Sequence, residues 1–109
     1  MENKLLSFLG LVMKSGNLIS GEETVIKELK KSNVKLVIGA NDLSSNSKKK
    51  VKDKCSFRNV DFVFVATKEE LGKSIGKNFR GIIGITDEKM ANKIKDILGG
   101  EAFVKDKSL

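Results

Sequence analysis

No histidine, proline, tryptophan or tyrosine occurs among the 109 residues, and cysteine occurs once. Without an imidazole the chain has no ordinary general acid–base group at neutral pH, no Ser-His-Asp triad and no Cys/His zinc set. Most hydrolase mechanisms are excluded with them. A lone Cys55 cannot close an intrachain disulfide, which suits a reducing compartment, and a cytoplasmic location is expected. Its setting reads as a small buried hydrophobe on a helix. Glutamine is also absent, and arginine stands only at Arg58 and Arg80, so the side chains that usually read base edges in duplex DNA are scarce. Long apolar runs are missing too. The stretch from Leu5 to Met13 falls far short of the roughly 20 residues needed to cross a bilayer. Glu2 and Lys14-Ser15-Gly16 do not fit a signal peptide, and no membrane partner is expected.

What remains is 39% hydrophobic and 32% charged residues with a formal net charge of +7. That balance fills one core and solvates one surface, and the length is that of one domain. The excess of cations points toward a polyanion. We expect a single domain over residues 1–100 and a polar tail over 101–109.

Periodicity gives the order of elements. Leu5, Phe8, Leu9 and Val12 form one apolar stripe of a first helix. A short extended piece follows at Leu18-Ile19. Ser20 and Glu23 have the spacing of a capping box, opening a second helix whose buried face is Val25, Ile26 and Leu29. Val34 to Ala40 reads as a buried strand. Ser44 or Ser45 opens a lysine-rich helix to about Phe57. Val60 to Val65 is the next strand, and Thr67 with Glu70 forms a second capping box before a helix ending near Gly76. Phe79 to Ile85 is a further strand. Thr86 then starts the last helix, which stops at Gly99-Gly100. Strands separated by helices imply an α/β/α sandwich.

Nucleotide motifs fail the test of position. Gly72-Lys73-Ser74 resembles the end of a P-loop, but Thr67 stands where the pattern needs glycine, and the segment lies inside a helix. Asp42, Asp53, Asp87 and Glu88 have no metal-ligand spacing. No enzyme activity, metal or cofactor is expected.

The basic residues are better organised. Lys48, Lys49, Lys50, Lys52 and Lys54 crowd the third helix, with Lys48, Lys49 and Lys52 as candidate phosphate contacts. Lys27, Lys30, Lys31 and Lys35 mark the second helix and the strand after it. Lys68, Lys73, Lys77 and Arg80 form a third group. Lys27 and Lys68 lie near helix starts, where backbone N–H groups favour phosphate. RNA recognised by shape suits this distribution better than duplex DNA.

Three segments, Leu9 to Glu23, Val37-Ile38-Gly39-Ala40-Asn41-Asp42 and Val63 to Gly72, resemble the L-seven-Ae ribosomal-protein superfamily, and within it the small bacterial YlxQ-like members. The likeness spans about residues 3–98. It implies a three-layer α/β/α sandwich on a four-stranded mixed sheet and non-enzymatic binding of kink-turn RNA in ribosomal or regulatory RNAs. The family's pattern Gly-x-Asn-Glu-x-x-Lys is met by Gly21 and Lys27, while Glu23 and Thr24 stand where Asn-Glu would be. An ionised Glu23 accepts hydrogen bonds only and repels phosphate, unlike asparagine. The apolar loop Val65-Ala66-Thr67-Lys68 matches the second element, on which an extruded base can rest. The resemblance therefore implies an RNA site of Gly21, Glu22, Glu23, Thr24, Lys27, Lys30, Lys31, Val65, Ala66, Thr67 and Lys68. The partner is expected to be ribosomal or other structured RNA, with the protein a monomer that acts in translation. The alternative is a protein–protein adaptor of the ribosome or transcription machinery with a degenerate RNA site.

Overall fold

Alternation of side chains along four short strands fills two separate cores. In the computed structural model, which describes residues 2–99, the order is α1 (Glu2–Lys14), β1 (Leu18–Ser20), α2 (Glu22–Lys30), β2 (Leu36–Gly39), α3 (Ser45–Phe57), β3 (Asp61–Phe64), α4 (Lys68–Ser74), β4 (Ile82–Ile85) and α5 (Glu88–Ile97). The tail assigned to 101–109 lies outside the described residues. The spatial order is β1-β4-β2-β3. β4 is antiparallel to both β1 and β2, and β2 is parallel to β3, so the sheet is mixed.

Leu36, Ile38, Val63, Ile83 and Ile85 face one side, where they bury Leu5, Leu9 and Val12 of α1, Leu71 of α4 and Ala91 and Ile94 of α5. Val37, Phe62 and Ile82 face the other and pack on Val25 and Leu29 of α2 and Val51 and Cys55 of α3. The result is the α/β/α sandwich expected from the alternation of helix and strand periods. Each fully buried Leu or Ile contributes roughly 1.5–3 kcal/mol by leaving water.

Helix starts agree with the sequence where a capping side chain is free to turn back. Ser44 accepts from Ser47 N at 3.1 Å. Thr67 and Glu70 close a full capping box, with Glu70 N donating to Thr67 Oγ1 at 3.1 Å and Thr67 N to Glu70 Oε1 at 3.0 Å. The box expected at Ser20 and Glu23 does not form. Ser20 is still in β1, paired with Ile83, and its Oγ accepts from Arg80 Nε at 3.2 Å. Gly21 takes the N-cap position with φ 100° and no side-chain cap. The last helix likewise starts one residue later than expected: Asp87, not Thr86, is the cap, its carboxylate accepting from Met90 N at 2.9 Å, while Thr86 N donates to Asn17 O at 3.0 Å. The strand expected over Phe79 to Ile85 begins only at Ile82. Phe79, Arg80 and Gly81 belong to the α4–β4 loop, and Phe79 is 63% exposed.

That loop is seated on Gly72, inside α4. A Cβ at Gly72 would stand 2.2 Å from the backbone oxygen of Asn78, and Lys77 N donates to Gly72 O at 2.8 Å. Glycine here costs helix propensity and gains a close approach of backbone to helix. Gly72→Ala is therefore expected to lower unfolding free energy by about 1–3 kcal/mol or more, as overpacking does, read as a lower denaturant midpoint. Burial, with a contribution from the Asp61 carboxylate, pushes the Cys55 thiol up to about 12. At pH 8 it should resist a thiol reagent in the native protein and react fully in denaturant, and rapid native labelling would contradict this packing.

Candidate nucleic-acid interface

β1, β2 and β3 all deliver the chain to the same end of the sheet, and β4 departs from that end. The four segments are stitched there by backbone bonds: Gly21 N to Ile82 O at 2.9 Å, Ala40 N to Gly81 O at 2.8 Å, Val65 N to Gly39 O at 2.9 Å and Asn41 N to Ala66 O at 2.8 Å. α2, α3 and α4 therefore begin along one edge, and their partially positive N-termini are gathered there.

At one side of the edge, α2 starts without a side-chain cap. An added Cβ at Gly21 would meet nothing within 4 Å, so its backbone faces open space. Glu23, Lys27 and Lys30, spaced four and three apart, run along one exposed stripe of the helix. Glu22, Glu23, Ile26, Lys27 and Lys30 line a groove with Lys50 of α3. Lys50 Nζ is 2.7 Å from Glu22 Oε2, an exposed ion pair worth little by itself but bridging α2 to α3. Thr24 is exposed in the first turn. Lys31 is the C-cap of α2, at the far end of the helix, and pairs with Glu28 at 3.7 Å. It is not brought to the edge.

On the other side, Ala66 is buried with φ 65°, a left-handed conformation that costs a residue with a Cβ about 1 kcal/mol. It turns the chain from β3 into the cap at Thr67. Val65 is half-buried and packs against the core. Lys68 N donates to Asp42 Oδ1 at 3.0 Å, and Lys68 O accepts from Arg80 N at 3.1 Å. Asp42, Thr67, Lys68, Glu69 and Phe79 enclose a recess of about 460 Å³. Arg80 joins the two halves, since its backbone holds Lys68 while its Nε reaches Ser20 beside Gly21.

The edge thus places Gly21, Glu22, Glu23, Thr24 and Lys27 at the same end of the sheet as Val65, Ala66, Thr67 and Lys68. It adds Asp42, from the loop after β2, and also Phe79 and Arg80, which periodicity had assigned to a strand. Their signal was the density of turn residues between Gly76 and Gly81, with Asn78 between them, which marks a loop and not a strand. The α3 lysines have different neighbours. Lys48 Nζ lies 5.6 Å from the Phe64 ring centroid at the end of β3, and Lys49 pairs with Asp53 at 3.0 Å. Lys52 is exposed on α3. Among the described residues no group of His, Cys, Asp or Glu could hold a metal ion, and no helix is long and apolar enough to cross a membrane.

Known proteins share both the sequence and this architecture. The profile of the ribosomal protein L7Ae/L30e/S12e/Gadd45 family matches residues 3–95. The chain is 42% identical over 90 residues to the RNA-binding protein YlxQ of Bacillus subtilis, covering 83% of this chain and 90% of that one. It is 40% identical over 97 residues to the RNA-binding protein YlxQ of Enterococcus faecium, covering 89% and 93%. A Bacillus halodurans protein of unknown function superposes with a TM-score of 0.84 at 36% identity over 87% of this chain and 96% of its own. A Giardia lamblia 15.5 kD RNA-binding protein shares the fold, with a TM-score of 0.76 at 19% identity over 93% and 86%. With the profile and these relatives spanning most of its length, the chain belongs to the ribosomal protein L7Ae/L30e/S12e/Gadd45 family.

Proposed function

We propose that the chain is a non-enzymatic RNA-binding protein that takes a structured, kink-turn-like RNA on the sheet edge. The observation that carries this reading is the junction at Arg80. It couples the uncapped start of α2, with Lys27 on its outer stripe, to the loop Val65-Ala66-Thr67-Lys68 and the Phe79 recess. Backbone N–H groups at a helix start, a few cations and an exposed ring beside a recess are the elements that hold a bent phosphate backbone and receive an unstacked base. Relatives at about 40% identity that are named RNA-binding proteins support the same conclusion. The RNA is ribosomal or ribosome-associated, and residues 1–100 act in the cytoplasm as one monomeric unit in translation. Lys48, Lys49 and Lys52 add sequence-independent phosphate contacts.

Few strong cations face the edge, so the salt dependence should be moderate. With about four to six phosphates contacted, log K against log salt is expected to slope at roughly −3 to −6, with structured RNA preferred over duplex DNA of equal length. Affinity indifferent to salt, or a preference for the duplex, would overturn the reading in favour of a protein partner.

Lys27→Ala should cost about 1–2 kcal/mol of RNA binding, the value of a charge-assisted hydrogen bond, with the fold intact because Lys27 is exposed. Glu23→Asn removes a charge that opposes phosphate and supplies a donor. Since no capping box holds Glu23, the change should cost stability only a few tenths of a kcal/mol, through the helix dipole. It should tighten binding to a kink-turn RNA and leave an unkinked control unchanged. Titration of both RNAs against the two variants tests this. Wild-type affinity in Lys27→Ala together with no gain in Glu23→Asn would place the RNA elsewhere.

A further inference from the structure

Outside the edge, the exposed face of α3 combines cations with an aromatic ring that the packing does not require. Asn46, Lys49, Lys50, Asp53, Lys54, Phe57 and Arg58 follow one helical stripe opposite the buried Val51 and Cys55, and they border a recess of about 620 Å³. Phe57 is 81% exposed, the most exposed large apolar side chain among the described residues. The Arg58 guanidinium stands 5.3 Å from its ring centroid.

We propose that this face binds a single-stranded stretch of RNA next to the structured element held at the sheet edge, with a base stacked on Phe57 and phosphates along Lys49, Lys50 and Lys54. The proposal rests on the RNA reading above. Charge complementarity favours RNA over an apolar or basic partner. Four cations line the recess against one carboxylate, and that carboxylate, Asp53, is already paired with Lys49 at 3.0 Å. The ring supplies what a phosphate patch alone lacks. Every base has a π-face, so an aromatic beside a basic track binds single strands with little sequence preference. Arg58 on one side of the ring leaves the exposed side for a base and adds a cation to the stack. The track is also continuous with the edge: Lys50 lines both this recess and the α2 groove of Glu22, Glu23, Lys27 and Lys30. A strand leaving the outer stripe of α2 at Lys27 and Lys30 can therefore pass over Lys50, which already offsets Glu22 at 2.7 Å, onto α3.

The test compares a blunt kink-turn hairpin with the same hairpin bearing a short unpaired purine tail at either end, titrated against the full chain. Wild type is expected to bind one tailed RNA about five- to tenfold tighter than the blunt one. Phe57→Ala should lose that gain and bind the blunt hairpin as wild type does. The ring is exposed, so the fold is expected to survive, and unchanged blunt binding reports that it has. Phe57→Trp should keep the gain. In a chain with no tryptophan or tyrosine it also gives a single indole, whose fluorescence the tailed RNA should quench and the blunt RNA should not. With blunt binding intact, absence of any gain in wild type, or a gain that persists in Phe57→Ala, overturns this proposal alone and assigns the face to a protein partner. Failure of wild type to bind either hairpin overturns the sheet-edge reading and this one with it.

Discussion

The direction of three strands governs everything else in the molecule. Because β4 runs back between β1 and β2, the strands β1, β2 and β3 all end on the same side of the sheet. Each must then release its chain into a helix at a place where neighbouring backbones run side by side at strand spacing. Buried amides left there without partners would each cost on the order of 1–3 kcal/mol, so the connections are forced to pair with one another. The four backbone bonds around Gly39, Ala40, Ala66, Gly81 and Ile82 meet that demand. In doing so they bring the starts of α2 and α4 within reach of the loop that holds Arg80. The candidate interface is a by-product of sheet topology before it is a matter of particular side chains.

Charge is distributed against the net value. Although the chain carries +7, the first turns at the edge hold acids: Glu22 and Glu23 on α2, Glu69 and Glu70 on α4. These stabilise the helices by opposing the positive end of the dipole. They also weaken that same end as an anion site. Glu70 is engaged by Thr67 and Glu22 by Lys50, which leaves Glu23 as the acid set on the stripe beside Lys27. The edge therefore offers few cations, namely Lys27, Lys68 and Arg80, and the proposed RNA site there depends on backbone geometry more than on charge. The denser positive charge lies on α3. A partner that spans both surfaces meets shape at one and charge at the other.

Much of this was legible in the residues. Strand faces followed from alternation, as in Phe62 and Val63 pointing to opposite cores. The cap at Thr67 followed from its spacing to Glu70, and Ser44 was one of the two serines expected to open α3; both residues sit in loops free to turn their oxygens onto the next turn. Ser20 had the same spacing and failed. A hydroxyl on a residue still paired in β1 cannot serve the helix, and pairing of β1 with β4 is a long-range fact that local spacing does not carry. Phe79 misled in a related way, since an aromatic beside a β-branched run looks like strand and core, whereas the loop around it is lifted onto α4 by the close contact at Gly72. Arg80 could be counted as a cation from sequence. Its role in joining Ser20 to Lys68 depends on residues sixty and twelve positions away.

The backbone itself separates ordinary turns from the edge. Seven described residues have positive φ: Gly16, Gly21, Ser32, Asn59, Ala66, Gly76 and Gly99. Five of them, Gly16, Ser32, Asn59, Gly76 and Gly99, lie directly after α1, α2, α3, α4 and α5, where a left-handed residue ends a helix by satisfying its last carbonyls. Only Gly21 and Ala66 fall outside that pattern, and both lie where a strand hands the chain to a helix at the sheet edge. Nothing about ending a helix requires them. Glycine meets the demand at position 21 without strain, but Ala66 keeps its methyl group in the core and accepts a conformation that disfavours it. The fold holds that conformation with the bond from Asn41 to the Ala66 carbonyl. Ser32 and Asn59 carry the same left-handed cost, but each stops a helix by it, whereas at Ala66 the conformation serves only to turn β3 into α4 and so to shape the loop at this end of the sheet.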